Sequence, residues 1–145
     1  MENSGQTVRY LTIEDILKIA KGHVGRYKLL KKSQLDYLVE IVGKKIGDTE
    51  LFPTLPQKAA AYAHHIITGH IFLDGNKRVG MNCALSFLVL NGCDPDLKID
   101  NSIIKLGFNI AKGTISDIEV IADHIRLWIQ RQADESAFTP DADTL

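Results

Sequence analysis

Apolar residues recur at helical spacing along almost the whole chain. After Thr12, the positions Ile13, Ile16, Leu17, Ile19 and Ala20 lie at intervals that put them on one helical face, which predicts a helix near 12–24. Thr12 with Asp15 reads as a capping box in which Asp replaces the usual Glu. Ser33 and Asp36 repeat that pattern ahead of Leu35, Leu38, Val39 and Val42, so a second helix is expected near 33–46. Gly47 to Pro53 collects Gly, Asp, Thr and Pro and reads as a loop. Pro56 suits the first turn of a third helix, which runs through Lys58, Ala60, Ala63, Ile66 and Ile67 to Gly69.

Turn residues fill His70 to Asn76. A fourth helix is expected from Asn76 to Leu90, with Asn91-Gly92 as its stop. Asp94-Pro95-Asp96 reads as a turn, and Leu97 to Ile99 is a weak strand candidate. Asn101 is placed as the cap of a fifth helix carrying Ile103, Ile104, Leu106, Phe108 and Ile110, with Gly113 beyond it. Ser116 with Glu119 forms a capping-box pattern that opens a sixth helix through Ile118, Ile121, Ala122, Ile125, Leu127, Trp128 and Ile129. After Gln132 the composition turns polar. Residues 1–133 therefore read as a single domain and 134–145 as a flexible polar tail. The expected fold class is all-α, a compact bundle of about six helices.

Composition narrows the class without naming a function. The chain has 145 residues with 17 Lys+Arg against 18 Asp+Glu, and 45% of it is hydrophobic. That mixture excludes a disordered chain, and the balanced charge argues against a nucleic-acid module driven by bulk charge. No apolar run reaches the roughly 18 residues of a membrane span. The first residues show no basic region leading into an apolar one, so no signal peptide is expected. Cys83 and Cys93 lack metal spacing and read as reduced thiols. These points favour a cytoplasmic protein.

Chemistry concentrates in His70-Ile71-Phe72-Leu73-Asp74-Gly75-Asn76-Lys77-Arg78. The stretch is a loop that leads into a helix N-terminus, where unpaired N–H groups and the positive end of the dipole lie together. Gly75 permits positive φ and close approach of a ligand, and Asn76 offers a side-chain amide. Lys77 and Arg78 oppose the dipole at a cost of about 0.3–1 kcal/mol each. Two cations beside free N–H groups make sense when a polyanion such as phosphate occupies the site. Asp74 suits a hard divalent cation carried on that phosphate, since Mg²⁺ usually takes only one or two protein carboxylates. His70 belongs to the residue type most often used to move a proton near neutral pH. The combination points to phosphoryl or nucleotidyl transfer.

Each residue has a bland reading too. Asp74 alone reads better as the N-cap of the fourth helix. A lone loop His is usually solvated, Lys77-Arg78 can be a solvated face, and Phe72 and Ile71 read as core anchors under either view. All of these must hold at once for the segment to be inert.

The nine residues resemble the motif of the Fic/Doc family, His-x-Phe-x-Asp/Glu-Gly-Asn-Gly/Lys-Arg, with every constrained position filled. Tyr10-Leu11-Thr12, the run Leu51-Phe52-Pro53-Thr54-Leu55 with Lys58-Ala59-Ala60, and Leu90-Asn91-Gly92 resemble the Doc (death-on-curing) branch. The resemblance covers about residues 8–131. It implies a helical enzyme that moves part of a nucleoside triphosphate onto a protein hydroxyl. His70 would be the general base, Asp74 would bind Mg²⁺, and Gly75, Asn76 and Lys77 would form the anion cradle. Arg78 would grip a phosphate and Phe72 would anchor the loop. The loop around 48–55 would be the family's flap, where a target segment adds as a strand.

Two departures from the adenylyltransferase pattern carry weight. Ile71 stands where most such enzymes have Pro, and Lys77 where they have Gly. In the Doc branch this Lys accompanies a reversed nucleotide, which makes the enzyme a kinase that uses ATP and Mg²⁺. The Doc target is elongation factor Tu, and its phosphorylation blocks translation. The alternatives are an adenylyltransferase and a catalytically silent partner-binding bundle. No Ser/Thr-x-x-x-Glu-Gly/Asn inhibitory string is present, so inhibition is expected from a separate antitoxin, with a monomer in its absence. That antitoxin would insert a segment near the nucleotide site or into a groove of the bundle. Neither nucleic acid nor membrane is an expected partner.

The remaining candidates read as structural. His64, His65 and His70 lack the spacing of ligands on one helical face, so a metal site is rejected. His124 and Trp128 read as structural and core positions. Asn82, four residues beyond Arg78, either orients that Arg or makes a buried polar contact. Lys28, Lys31 and Lys32 read as a solvated face.

Overall fold

A computed structural model describes residues 7–93 and 101–137. Six helices account for nearly all of it: α1 (Ile13–Val24), α2 (Lys32–Ile41), α3 (Leu55–Gly69), α4 (Asn76–Leu90), α5 (Asn101–Lys112) and α6 (Ile118–Ala137). Between α2 and α3 lies a two-stranded antiparallel hairpin, β1 (Lys45–Ile46) and β2 (Thr49–Glu50), in which Lys45 faces Glu50. The all-α expectation holds, with this hairpin as its small exception. No described helix is long and apolar enough to cross a membrane. The Asp94-Pro95-Asp96 turn, the 97–99 strand candidate and residues 138–145 lie outside the described residues.

The core is built on α3 and α4, which pack side by side at the centre, with α6, α1 and α5 against them. The sequence of α3 explains its place. Ala59, Ala60, Ala61 and Ala63 are all buried, so neighbours approach its backbone closely from several sides. Gly80 of α4 answers this, since a Cβ there would lie 2.8 Å from Ile67 Cγ1 and 3.1 Å from the Ala63 carbonyl. Tyr62 is buried among them, and its hydroxyl accepts from the Leu11 N–H at 3.0 Å, which satisfies its polar end.

Local signals set most helix starts. Thr12 and Asp15 form the expected capping box on α1, each side chain serving the other's backbone at 3.1 and 2.9 Å. Thr54 and Gln57 form a second box on α3, with Pro56 in its first turn. The Thr-x-x-Gln spacing of that box is present in the sequence. Gly92 ends α4 at φ 83°, as the Asn91-Gly92 stop predicts.

Several boundaries differ from expectation. The second helix stops at Ile41 instead of 46, and just beyond it Gly43 lies under the Tyr10 ring, where a Cβ would be 2.8 Å from Cζ. The Ser33–Asp36 box does not form: α2 begins at Lys32 with no side-chain cap, and Asp36 pairs with Lys32 at 2.9 Å. The end of the expected second helix and the start of the 47–53 loop instead form the hairpin, whose turn places Gly47 at φ 65°. α5 begins at Asn101 itself rather than after it. At α6 the Asp117 carboxylate, not the Ser116 hydroxyl, accepts from the Glu119 N–H at 2.8 Å. Glu119 instead receives the side-chain amide of Gln57. Residues 134–137, expected in the tail, continue α6.

Candidate active site

The motif loop connects the two central helices. His70 caps the C-terminus of α3 at φ 49°, ψ 50°, a left-handed conformation and the one positive φ among described non-glycine residues. A β-carbon in this region is disfavoured, and residues held there cluster at functional sites. His70 is exposed, whereas the next two residues, Ile71 and Phe72, are buried. Phe72 meets the edge of the Tyr27 ring at 5.7 Å and 85°, which anchors the loop. The loop therefore pins two apolar side chains and leaves His70, Leu73 and Asp74 at the surface.

The N-terminus of α4 is uncapped. Gly75 is the N-cap at φ 80°, and no side chain caps the N–H groups of the first turn. Asp74 is thus not the N-cap, which removes its bland reading. Its carboxylate makes no hydrogen bond or ion pair among the described residues. The first helical bond runs from the Val79 N–H to the Gly75 carbonyl at 2.9 Å, so the N–H groups of Asn76, Lys77 and Arg78 precede it without partners. Three such N–H groups with the dipole behind them are what an anion would need there. Gly75 is needed for space as well as for φ: a Cβ would lie 2.5 Å from Val24 Cγ2.

Two polar side chains are used differently from expectation. The Asn76 amide is not open to a ligand: its Oδ1 accepts from the Phe72 N–H at 3.0 Å and its Nδ2 donates to the Phe72 carbonyl at 2.8 Å. Asn76 thus leaves only its main-chain N–H open to a ligand and closes the loop with its side chain. Asn82 does not orient the Arg78 guanidinium; its Nδ2 donates to the Arg78 carbonyl at 2.8 Å. The guanidinium itself donates from Nη1 to the His23 carbonyl at 2.6 Å, at the last turn of α1. That bond satisfies one of the unpaired carbonyls of the helix end.

The segment between α1 and α2 splints the loop, and periodicity gave no sign of it. The N–H groups of Leu30 and Lys31 both donate to the Ile71 carbonyl, at 2.8 and 3.2 Å, and the Leu73 N–H donates to Lys28 at 2.9 Å. Leu29 faces Phe72 in an antiparallel bridge. The basic run read as a solvated face is exposed, but its backbone is bonded to the site. The alternation of Tyr27 and Leu29 with Lys28 was the available cue.

Beside the cradle, a groove of about 530 Å³ lies between α4 and α5. Met81, Leu85, Ile103 and Phe108 line it together with Lys77 and Arg78, so the two cations border both features. The other histidines take no part. His65 contacts the Ala61 carbonyl at 3.0 Å, and burial, with His65 alongside, holds His64 below its usual range. No group of three or more His, Cys, Asp or Glu side chains suited to a metal occurs among the described residues.

Comparison with known proteins agrees with this geometry. The Fic/DOC family profile matches residues 10–88, more than half of the chain and the whole motif. A protein of Mycolicibacterium smegmatis named Toxin Doc is 35% identical over 86 residues. That match covers 57% of this chain and 65% of the relative, so it spans less than two thirds of the relative's length.

Proposed function

The chain belongs to the Fic/Doc family, and from that premise we propose that it is the toxin of a toxin–antitoxin pair, transferring the γ-phosphate of ATP to a hydroxyl of a translation protein. The observation that carries this reading is the uncapped start of α4. Free N–H groups, a glycine at positive φ and two adjacent cations occur together there, with an exposed histidine a few residues upstream. A helix optimised for stability alone would carry an acid and a capping side chain at that point.

In the proposed reaction the N–H groups of Asn76, Lys77 and Arg78 receive the phosphates. The Arg78 guanidinium leaves the His23 carbonyl to add its charge. His70 takes the proton of the acceptor hydroxyl as its oxygen bonds to the γ-phosphorus. The bond to the β–γ bridging oxygen breaks, and ADP leaves. Asp74 fits a Mg²⁺ brought in on the nucleotide: its carboxylate is unengaged, and the described residues offer no multi-ligand cluster for a resident metal. When bound, that ion would neutralise phosphate charge. Lys77 favours phosphate over AMP transfer, because a long cation in the first turn fills room an α-phosphate would need.

The acceptor would be elongation factor Tu, and the inhibitor a separate antitoxin. The groove between α4 and α5 suits a segment of that antitoxin, since Lys77 and Arg78 are part of its lining. Incubation of purified elongation factor Tu with the protein and ATP labelled at the γ or the α position tests the reading. Label from γ alone is expected. Label from α alone would replace the kinase with an adenylyltransferase, and toxicity that survives His70→Ala would replace both with a partner-binding bundle.

A further inference from the structure

Three contacts fix the register of α2 against the end of α3 and the motif loop. The Tyr37 and His65 ring centroids lie 6.4 Å apart. Gln34, three residues before Tyr37, meets Gly69, four residues after His65: a Cβ on residue 69 would lie 3.2 Å from Gln34 Oε1. The N–H of Lys31, three residues before Gln34, donates to the Ile71 carbonyl at 3.2 Å. The two segments therefore run in opposite directions, and His70 falls in the chain between the partners of Gln34 and Lys31.

Gly69 marks the importance of that approach. The positive φ at this helix end falls on His70, the residue where glycine would be the usual choice. Glycine at 69 thus serves space rather than conformation. The atoms a Cβ there would meet are Gln34 Oε1 and, at 3.6 Å, Ile71 Cγ1. Gln34 and His70 are both exposed, and neither side chain makes a hydrogen bond or ion pair among the described residues. The acid nearest in α2, Asp36, is held by Lys32.

A histidine that takes a proton on one ring nitrogen works best when an acceptor holds the other, because that bond fixes the tautomer and the ring plane. Nδ1 is bonded to Cγ, whereas Nε2 lies at the far side of the ring. An oxygen set against the residue before His70 is therefore placed to meet Nδ1. We propose that Gln34 is the positioning residue of His70: its Oε1 accepts from Nδ1–H and leaves Nε2 unprotonated toward the acceptor hydroxyl. Exposed side chains turn within nanoseconds, so a rotation closes the pair. When Nε2 takes the hydroxyl proton, Nδ1–H stays on Gln34. The inference rests on the transferase reading.

Wild type, Gln34→Leu and Gln34→Glu test it. Leu keeps the bulk and removes the acceptor, whereas Glu keeps an acceptor oxygen. Position 34 is exposed, and equal thermal midpoints would show that the folds match. Lys31, the Lys32–Asp36 pair and Asp74 are the same in all three, so differences belong to residue 34. Long-range ¹H–¹⁵N NMR of the whole chain reads the tautomer of neutral His70, assigned by its loss in His70→Asn. Wild type and Gln34→Glu should hold mainly Nδ1–H, and Gln34→Leu should move at least about half of the population to Nε2–H. The His70 pKa in Gln34→Glu should rise by at least about half a unit, from the added carboxylate.

Kinetics then use ATP and the protein that becomes labelled in a bacterial lysate. Gln34→Leu should lower kcat by about tenfold with both KM values within about twofold, and Gln34→Glu should restore most of it. Mainly Nε2–H in wild type, or an unchanged tautomer in Gln34→Leu, overturns the inference whatever the activity. So does an unchanged kcat in Gln34→Leu, or a loss that Gln34→Glu fails to restore. Wild type that shows Nδ1–H but labels no protein overturns the transferase reading, and the positioning role falls with it while the hydrogen bond stands.

Discussion

Gly75 at the start of α4 packs against Val24 at the end of α1 so closely that a Cβ on residue 75 would lie 2.5 Å from Val24 Cγ2. With φ at 80°, Gly75→Ala meets both a clash and a disfavoured conformation. The conformation costs about 1–2 kcal/mol and the overpacking about 1–3 kcal/mol. Val24→Ala relieves the second part only. A double-mutant cycle by urea unfolding should therefore show favourable coupling of about 1–2 kcal/mol between the two changes.

His70 holds a left-handed conformation that glycine adopts without cost. His70→Gly should raise stability by up to about 1 kcal/mol in thermal unfolding. If the proposed transfer is right, it should also cut label transfer by about 10²–10⁴, the usual cost of losing a general base. A variant both more stable and inactive would identify the strain at this position as functional.

Asn76 serves both main-chain groups of buried Phe72. Asn76→Ala leaves a donor and an acceptor unpaired and should cost about 1–3 kcal/mol. Asn76→Asp can still accept from the Phe72 N–H but cannot donate to its carbonyl, so its loss should be intermediate. Chemical unfolding of the two variants checks the order.

Lys58 is 1% exposed and reaches Glu50 at 2.7 Å, which is 36% exposed. Lys58→Met therefore removes a buried cation but leaves its partner near water. The expected loss is about 1–3 kcal/mol rather than the larger penalty of a stranded buried charge. Hydrogen exchange should accelerate in residues 45–52 while the amides of α4 keep their protection.

His64 is held below its usual value near 6.5, first by burial and next by the charge of His65. The unfolded chain thus binds a proton more readily than the folded one. The stability this site contributes is complete above that usual value and declines as the pH falls from it toward the lowered folded value. His64→Gln should flatten the drop in thermal midpoint between about pH 7 and pH 5.

Much of this protein is written in short-range terms. The capping pair of Thr12 and Asp15, Pro56 in the first turn of α3, the Gly92 stop and the helical periodicity all act within about four residues. A single sequence therefore determines the helix order and the all-α class. It also determines that the motif spans the C-terminus of one helix and the N-terminus of the next. What the side chains do there is another matter. Arg78 finds the carbonyl of His23, Val24 limits residue 75, and the Leu29 edge lies against Phe72. These partners are more than forty residues apart in the chain. The Tyr10 ring over Gly43, 33 residues away, is a further long-range contact of this kind. Periodicity carries no information on which distant surfaces meet, because that choice belongs to the packing of whole helices. The tertiary structure alone decided that the end of α1 and the segment after it form the second wall of the site.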